Sequence, residues 1–215
     1  MAQIQARPML DFFIHLRDHV ALAAVALATA LAIGLPLGAF AARTPRLRAV
    51  TLGAIGIGRV VPSLAVLALM LPLVGVGFTP AVIALALLAI PPIAINTDLG
   101  LRSVPETVRE AARGLGMDAA QVRARVEWPL ALPIVFAGIR TASVEVVASA
   151  TLAAFIGGGG LGEYILSGIA LNDTGLLIEG AAAVGALALA ISGVLALVER
   201  RLVQGARANV RKPRP

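Results

Sequence analysis

The 215-residue sequence predicts an all-α, polytopic membrane protein, a bundle of about five transmembrane helices. Three observations lead there. Apolar residues make up 59% of the chain and charged residues 14%, against about 45–50% and about 25% in an average soluble domain. A soluble domain of this length lacks the interior to hide so much apolar surface. Residues 20–42 and 60–97 carry no charge at all, and the basic residues lie between such stretches rather than in one soluble stripe. The net charge of +6 is therefore no nucleic-acid signature.

Taken in order, residues 1–19 form a leader. It is either an interfacial helix carrying Phe12, Phe13 and Leu16 or a plain flexible segment. Residues 20–42 match the ~20 helical residues that cross a bilayer core of about 30 Å. Ala39-Phe40-Ala41 mimics a signal-peptide cleavage site, but the run exceeds the ~7–15 residues of a signal h-region. The stretch 60–97 is too long for one span. Turn chemistry at Gly75-Val76-Gly77-Phe78-Thr79-Pro80 divides it, giving helices over about 49–74 and about 80–96. Residues 98–133, rich in Arg and acids, read as a soluble loop with helices. A fourth span covers 134–156. The Gly-rich stretch 157–173 reads as half-inserted, with a flexible joint at 157–160. The fifth span covers about 176–198. Residues 20–198 thus form the membrane domain, and 199–215 a basic, frayed tail.

Five spans put Arg43, Arg46 and Arg48, the five Arg of the long loop and six basic residues of the tail on one face. Before the first span, the other face has Arg7 and Arg17. The positive-inside rule then places the long loop and the C-terminus in the cytoplasm and the N-terminus outside.

The residue inventory removes several chemistries. There is no Cys, hence no disulfide or thiolate site. The sole Lys, Lys212, lies in the tail, so no GxxxxGK[ST] loop exists, and the Gly157–Gly160 run cannot serve as one. His15 and His19 stand four apart, but Leu16 occupies the place of the Glu in HExxH, so no metal site is expected. No catalytic constellation is present, and the chain is not read as an enzyme.

The long loop is the most informative stretch. Pro105 and Glu106 suit a helix start. Gly114 and Gly116 end that helix, and Asp118 with Gln121 at capping-box spacing begins the next. Glu110-Ala111-Ala112, then Gly116, then Val126-Glu127-Trp128-Pro129 reproduce the pattern EAA, three residues, G, nine residues, I-x-L-P, with Val for Ile and Trp for Leu. The sequence thereby resembles the permease subunits of bacterial ABC importers. Val61-Pro62-Ser63-Leu64-Ala65, Gly138-Ile139-Arg140-Thr141-Ala142, Thr151-Leu152-Ala153-Ala154-Phe155-Ile156-Gly157 and Gly159-Gly160-Leu161-Gly162 look like the osmoprotectant branch of that family. The resemblance spans about residues 20–200.

The resemblance implies a type I ABC importer permease fold in the bacterial inner membrane. It implies a substrate such as glycine betaine, choline, carnitine or a related quaternary amine. It also implies an ATPase subunit that binds ATP and Mg, none being bound by this chain. A periplasmic or extracellular binding protein and a second permease, identical or paralogous, complete the implied assembly. Arg109, Glu110, Ala111, Ala112, Gly114 and Gly116 correspond to the coupling helix that docks on the ATPase. Small Ala side chains permit close approach, Glu110 offers a carboxylate, and Gly116 permits a turn closed to other residues. The plain alternative is a helical hairpin packed only on its own chain.

Pro62 and Ser63 predict a kink in the second span, lining the path or serving as a bend. Arg59, Arg140 and Glu145 are intramembrane charges. Arg59 and Glu145 lie at similar depths and can pair, Arg140 can snorkel, and Glu145 either lines the path or belongs to a structural pair. Asn96 and Asp98 are expected to end the third span as a cap, and Asn96 is a candidate for the path with Pro62, Ser63 and Glu145. Aromatics are only 4%, too few for a strong quaternary-ammonium cage. High-affinity capture is therefore expected in a separate protein, and the short tail leaves no fused receptor. Competing readings are an ABC permease for another small solute such as an amino acid, and an ion-coupled carrier, for which no clear internal repeat is seen.

Overall fold

The computed structural model describes residues 2–57 and 61–211, and these are helical with short connections. The first helix, α1 (Ala2–Arg43), is continuous from leader into span, because Asp11–His19 contains no Gly or Pro to stop it. Next come α2 (Pro45–Ile57) and α3 (Ser63–Val74). The single helix expected over 49–74 is thus two pieces. Pro62 is the N-cap of α3, and Ala65 and Val66 N–H groups donate to its carbonyl. The ring that was to kink a helix starts one instead. Arg59, and so the expected Arg59–Glu145 pair, lies outside the described residues.

Helix α4 (Phe78–Arg102) absorbs Pro91 and Pro92 and runs past the expected end at Asn96. Asp98 therefore caps nothing. It is buried inside the helix, where the guanidinium of Arg48 neutralises it. After a short connection come α5 (Glu106–Gly114) and α6 (Ala119–Val122). A π-helical turn, Arg123–Glu127, then leads into α7 (Trp128–Ser149) and a 3₁₀ segment, Ala150–Ile156. Helical chain is continuous from Ala119 to Ile156, so the helices expected in 98–133 run directly into the fourth span. The Gly-rich stretch contains α8 (Gly162–Leu171), and α9 (Thr174–Arg211) extends the last span into the basic tail. Asp173 starts α9 by accepting from the N–H groups of Gly175 and Leu176.

Among the described residues, Leu10–Arg43, Phe78–Arg102, Ala119–Ile156 and Thr174–Arg201 are long and apolar enough to cross a bilayer, while α3 and α8 are shorter apolar helices. Helix α4 is the centre: 61% of its apolar window is buried inside the protein, against 6% for α9. Its neighbours α1 and α7 approach it through glycines. Gly34 and Gly38 of α1 meet Ile93, Ala94 and Thr97; Gly138 of α7 lies over Pro92 and Asn96; and Gly100 of α4 faces Ala131. Small residues four apart permit such close contact between membrane helices. Leu22, Ala26, Leu85, Ala89, Ile93, Ala142 and Val146 complete the core.

Candidate functional site

Helix α5 holds Glu110-Ala111-Ala112 of the family pattern, and local chemistry explains its shape. Pro105 is the N-cap, with φ −61° and ψ 139°, and Glu106 supplies an acid to the first turn. The C-terminus is a Schellman motif: Gly116 N–H donates to Arg113 O at 2.9 Å and Met117 N–H to Ala112 O at 3.2 Å. Gly116 has φ +84°, a conformation costly for other residues. Gly114 is simply the last helical residue and has ordinary φ. The Asp118–Gln121 capping box is formed in full.

The helix has two faces. Thr107, Glu110, Ala111 and Gly114 are exposed along one side, and Leu115 at its tip is 81% exposed. Ala112 is buried on the other. Arg109 also turns inward. Its Nη2–H donates to the Leu101 carbonyl of α4 at 2.7 Å, its Nη1 pairs with Glu106 at 2.9 Å, and its Nε lies 3.0 Å from Glu127 Oε1. Of the residues assigned to docking, Arg109 is thus directed at its own chain. Arg113 reaches the same Glu106 at 3.1 Å. The hydrogen bonds from Arg109 hold the Glu106 carboxyl below the usual carboxylate range, and Arg113 adds to this. Between α5 and the bundle lies a polar cleft of about 190 Å³ that also touches Ala42 and Arg43. Trp128, standing where the family pattern has Leu, packs on Leu101, Ala131 and Val135.

The residues suggested for a path lie on separate helices. Pro62 and Ser63 begin α3. Asn96 on α4 donates to the Pro92 carbonyl at 2.8 Å. Glu145 is half-buried on α7. Arg140 comes within 3.9 Å of Glu199 on α9.

Sequence reasoning missed several contacts. Arg48 makes a bidentate pair with Asp98, fifty residues on, which no local pattern announces. Glu127 occupies the unspecified position of the motif. At the opposite end, His15 bridges the Asp11 carbonyl and the Glu163 carboxylate, and His19 Nε2–H donates to Val147 O. Among the described residues, no cluster of three His, Asp or Glu could hold a metal ion.

Residues 34–207 match the family described as binding-protein-dependent transport system inner membrane component. The chain is 40% identical over 185 residues to the choline transport system permease protein OpuBB of Bacillus subtilis, covering 86% of this chain and 85% of the relative. It is 42% identical over 183 residues to the osmoprotectant import permease protein OsmW of Salmonella typhimurium, covering 83% and 85%. In fold it is similar to a chain of the MetNI methionine ABC transporter in an inward-facing conformation. That likeness has a TM-score of 0.77 and 22% identity, and covers 93% of this chain and 98% of that one.

Proposed function

The chain belongs to the family of binding-protein-dependent transport inner membrane components, and from that premise we propose that it is the permease subunit of an ATP-driven importer for a quaternary-amine osmoprotectant: glycine betaine, choline, carnitine or a close analogue. The observation that carries the proposal is α5, a short helix with Glu110, Ala111 and Gly114 exposed and its end fixed by Gly116. Relatives named for choline, carnitine and osmoprotectants, at about 40% identity, support the solute class.

In this reading α5 lies in the cytoplasm with the C-terminus, and the N-terminus lies outside. The exposed face of α5 seats on an ATPase subunit, which binds ATP and Mg. Two permease subunits, identical or paralogous, enclose the path. Closure of two nucleotide-loaded ATPases draws the two α5 helices together and favours the outward-open state; ADP release favours the inward-open state. A separate binding protein delivers the solute at the outer end. Residues Pro62, Ser63, Asn96 and Glu145 are candidates for the path.

Proteoliposomes test the proposal. Accumulation of choline, carnitine or glycine betaine is expected only with ATPase subunit, ATP and binding protein together. Accumulation driven by an ion gradient alone would replace the importer by a carrier.

A further inference from the structure

The exposed face of α5 explains how a partner can grip it, but not how its motion enters the bundle. Covalently, α5 leaves α4 through 103–105 and reaches α6 through the glycine turn at 115–118. That turn is itself held by hydrogen bonds, Gly116 N–H to Arg113 O and Met117 N–H to Ala112 O, and it carries the chain from α5 to α6. A second connection is through side chains. Arg109 and Glu127 are mostly buried, with 19% and 16% of their side chains exposed, and they meet at 3.0 Å. The same guanidinium donates to the Leu101 carbonyl at the end of α4. One side chain on α5 therefore engages the end of α4 and the π turn that leads into α7.

The location of Glu127 adds a second observation. It closes the π-helical turn Arg123–Glu127, in which the Trp128 N–H donates to the Arg123 carbonyl. A π turn inside a helix is uncommon and marks places where register is adjusted for function. Here it precedes Trp128, which packs on Leu101, Ala131 and Val135.

We propose that Glu127 is a positioning residue: through Arg109 it ties the coupling helix to the start of α7, so that displacement of α5 is passed directly to the bundle. This rests on the reading of α5 as the ATPase-docking helix. Glu106 also touches Arg109, but from within α5, so that contact braces the helix rather than joining it to another element.

That difference supplies the experiment. Wild type, Glu127→Gln, Glu127→Asp and Glu106→Gln are each reconstituted with ATPase subunit and binding protein. Three quantities are read: ATPase retained on the permease, ATP hydrolysed, and uptake of whichever of choline, carnitine or glycine betaine the wild type accumulates. Glu127→Gln is expected to retain the ATPase while uptake per ATP falls about tenfold, in the range of a lost close coupling. Glu127→Asp, which keeps the charge, recovers most of the loss, and Glu106→Gln stays within about twofold of wild type. Unchanged uptake per ATP in Glu127→Gln would overturn the proposal. So would release of the ATPase by that variant, which would make Glu127 a docking residue. A wild-type permease that retains no ATPase would instead remove the docking reading itself.

Discussion

Arg48 on α2 and Asp98 on α4 form a bidentate ion pair of unequal burial. Nη2 lies 2.8 Å from Oδ2, with 36% of the arginine side chain exposed and 1% of the aspartate side chain. Removing the two partners therefore has different consequences. Without Asp98, the arginine can turn to water. Without Arg48, a buried carboxylate is stranded, a situation that costs about 3–5 kcal/mol. Arg48→Ala is expected to lower the unfolding midpoint more than Asp98→Ala, and the double variant is expected to be more stable than Arg48→Ala alone. Thermal unfolding in detergent checks this order.

The glycines of the core seam give a second set. A Cβ at Gly138 would stand 2.5 Å from Asn96 Cβ and 2.7 Å from the Pro92 carbonyl oxygen, whereas at Gly53 nothing lies within 4 Å. Gly138→Ala is expected to lose about 1–3 kcal/mol by overpacking. Gly53→Ala, in an exposed part of α2, should be neutral or slightly stabilising. Equal midpoints for the two would contradict the close α4–α7 contact.

For the docking face, Glu110→Lys should reduce ATP-driven uptake about tenfold by reversing the charge offered to the partner. Gly116→Pro should do the same for a backbone reason, since proline cannot adopt φ +84° and lacks the N–H that Gly116 donates to Arg113. Membrane insertion, followed by surface labelling at equal expression, should be unchanged in both. Normal uptake by both variants would remove α5 from the docking role.

Glu106 provides a pH test. Its carboxyl pKa is held low chiefly by hydrogen bonding from Arg109 and further by Arg113. A depressed carboxylate pKa means that the contact contributes fully above the ordinary carboxylate range and is lost as pH falls through the lower, folded value. Carbon-13 titration of the protein in nanodiscs should give a midpoint below the ~4.3 of a free glutamate. Arg109→Ala should bring it back up by more than Arg113→Ala does.

Much of this architecture was legible because bilayer physics writes itself into composition. Uncharged stretches located four long apolar helices among the described residues, though the span expected over 49–74 is two shorter helices, and the turn residues at 75–80 correctly separated α3 from α4. The Asp118–Gln121 box and the Gly116 turn were readable because each is a local hydrogen-bonding problem with few solutions. Asp98 was misread as a cap because its partner is fifty residues away, and nothing local says that a buried carboxylate is neutralised. Pro62 was read as a kink because the pattern does not say whether a proline bends a helix or begins one. Arg109 was placed among the coupling residues, and no local pattern said which way its side chain turns. Its neighbours Glu110 and Ala111 are exposed, and a difference of one residue, about 100° around a helix, separates the two faces.

The glycine contacts along α4 also limit what can move. Where one helix rests against the backbone of another, no flexible side chains lie between them to be combed aside, and a tightly packed contact does not deform gradually. Helices α1, α4 and α7 therefore have little clearance to slide past each other. Of the long helices, α9 is the least enclosed, with 6% of its apolar window buried.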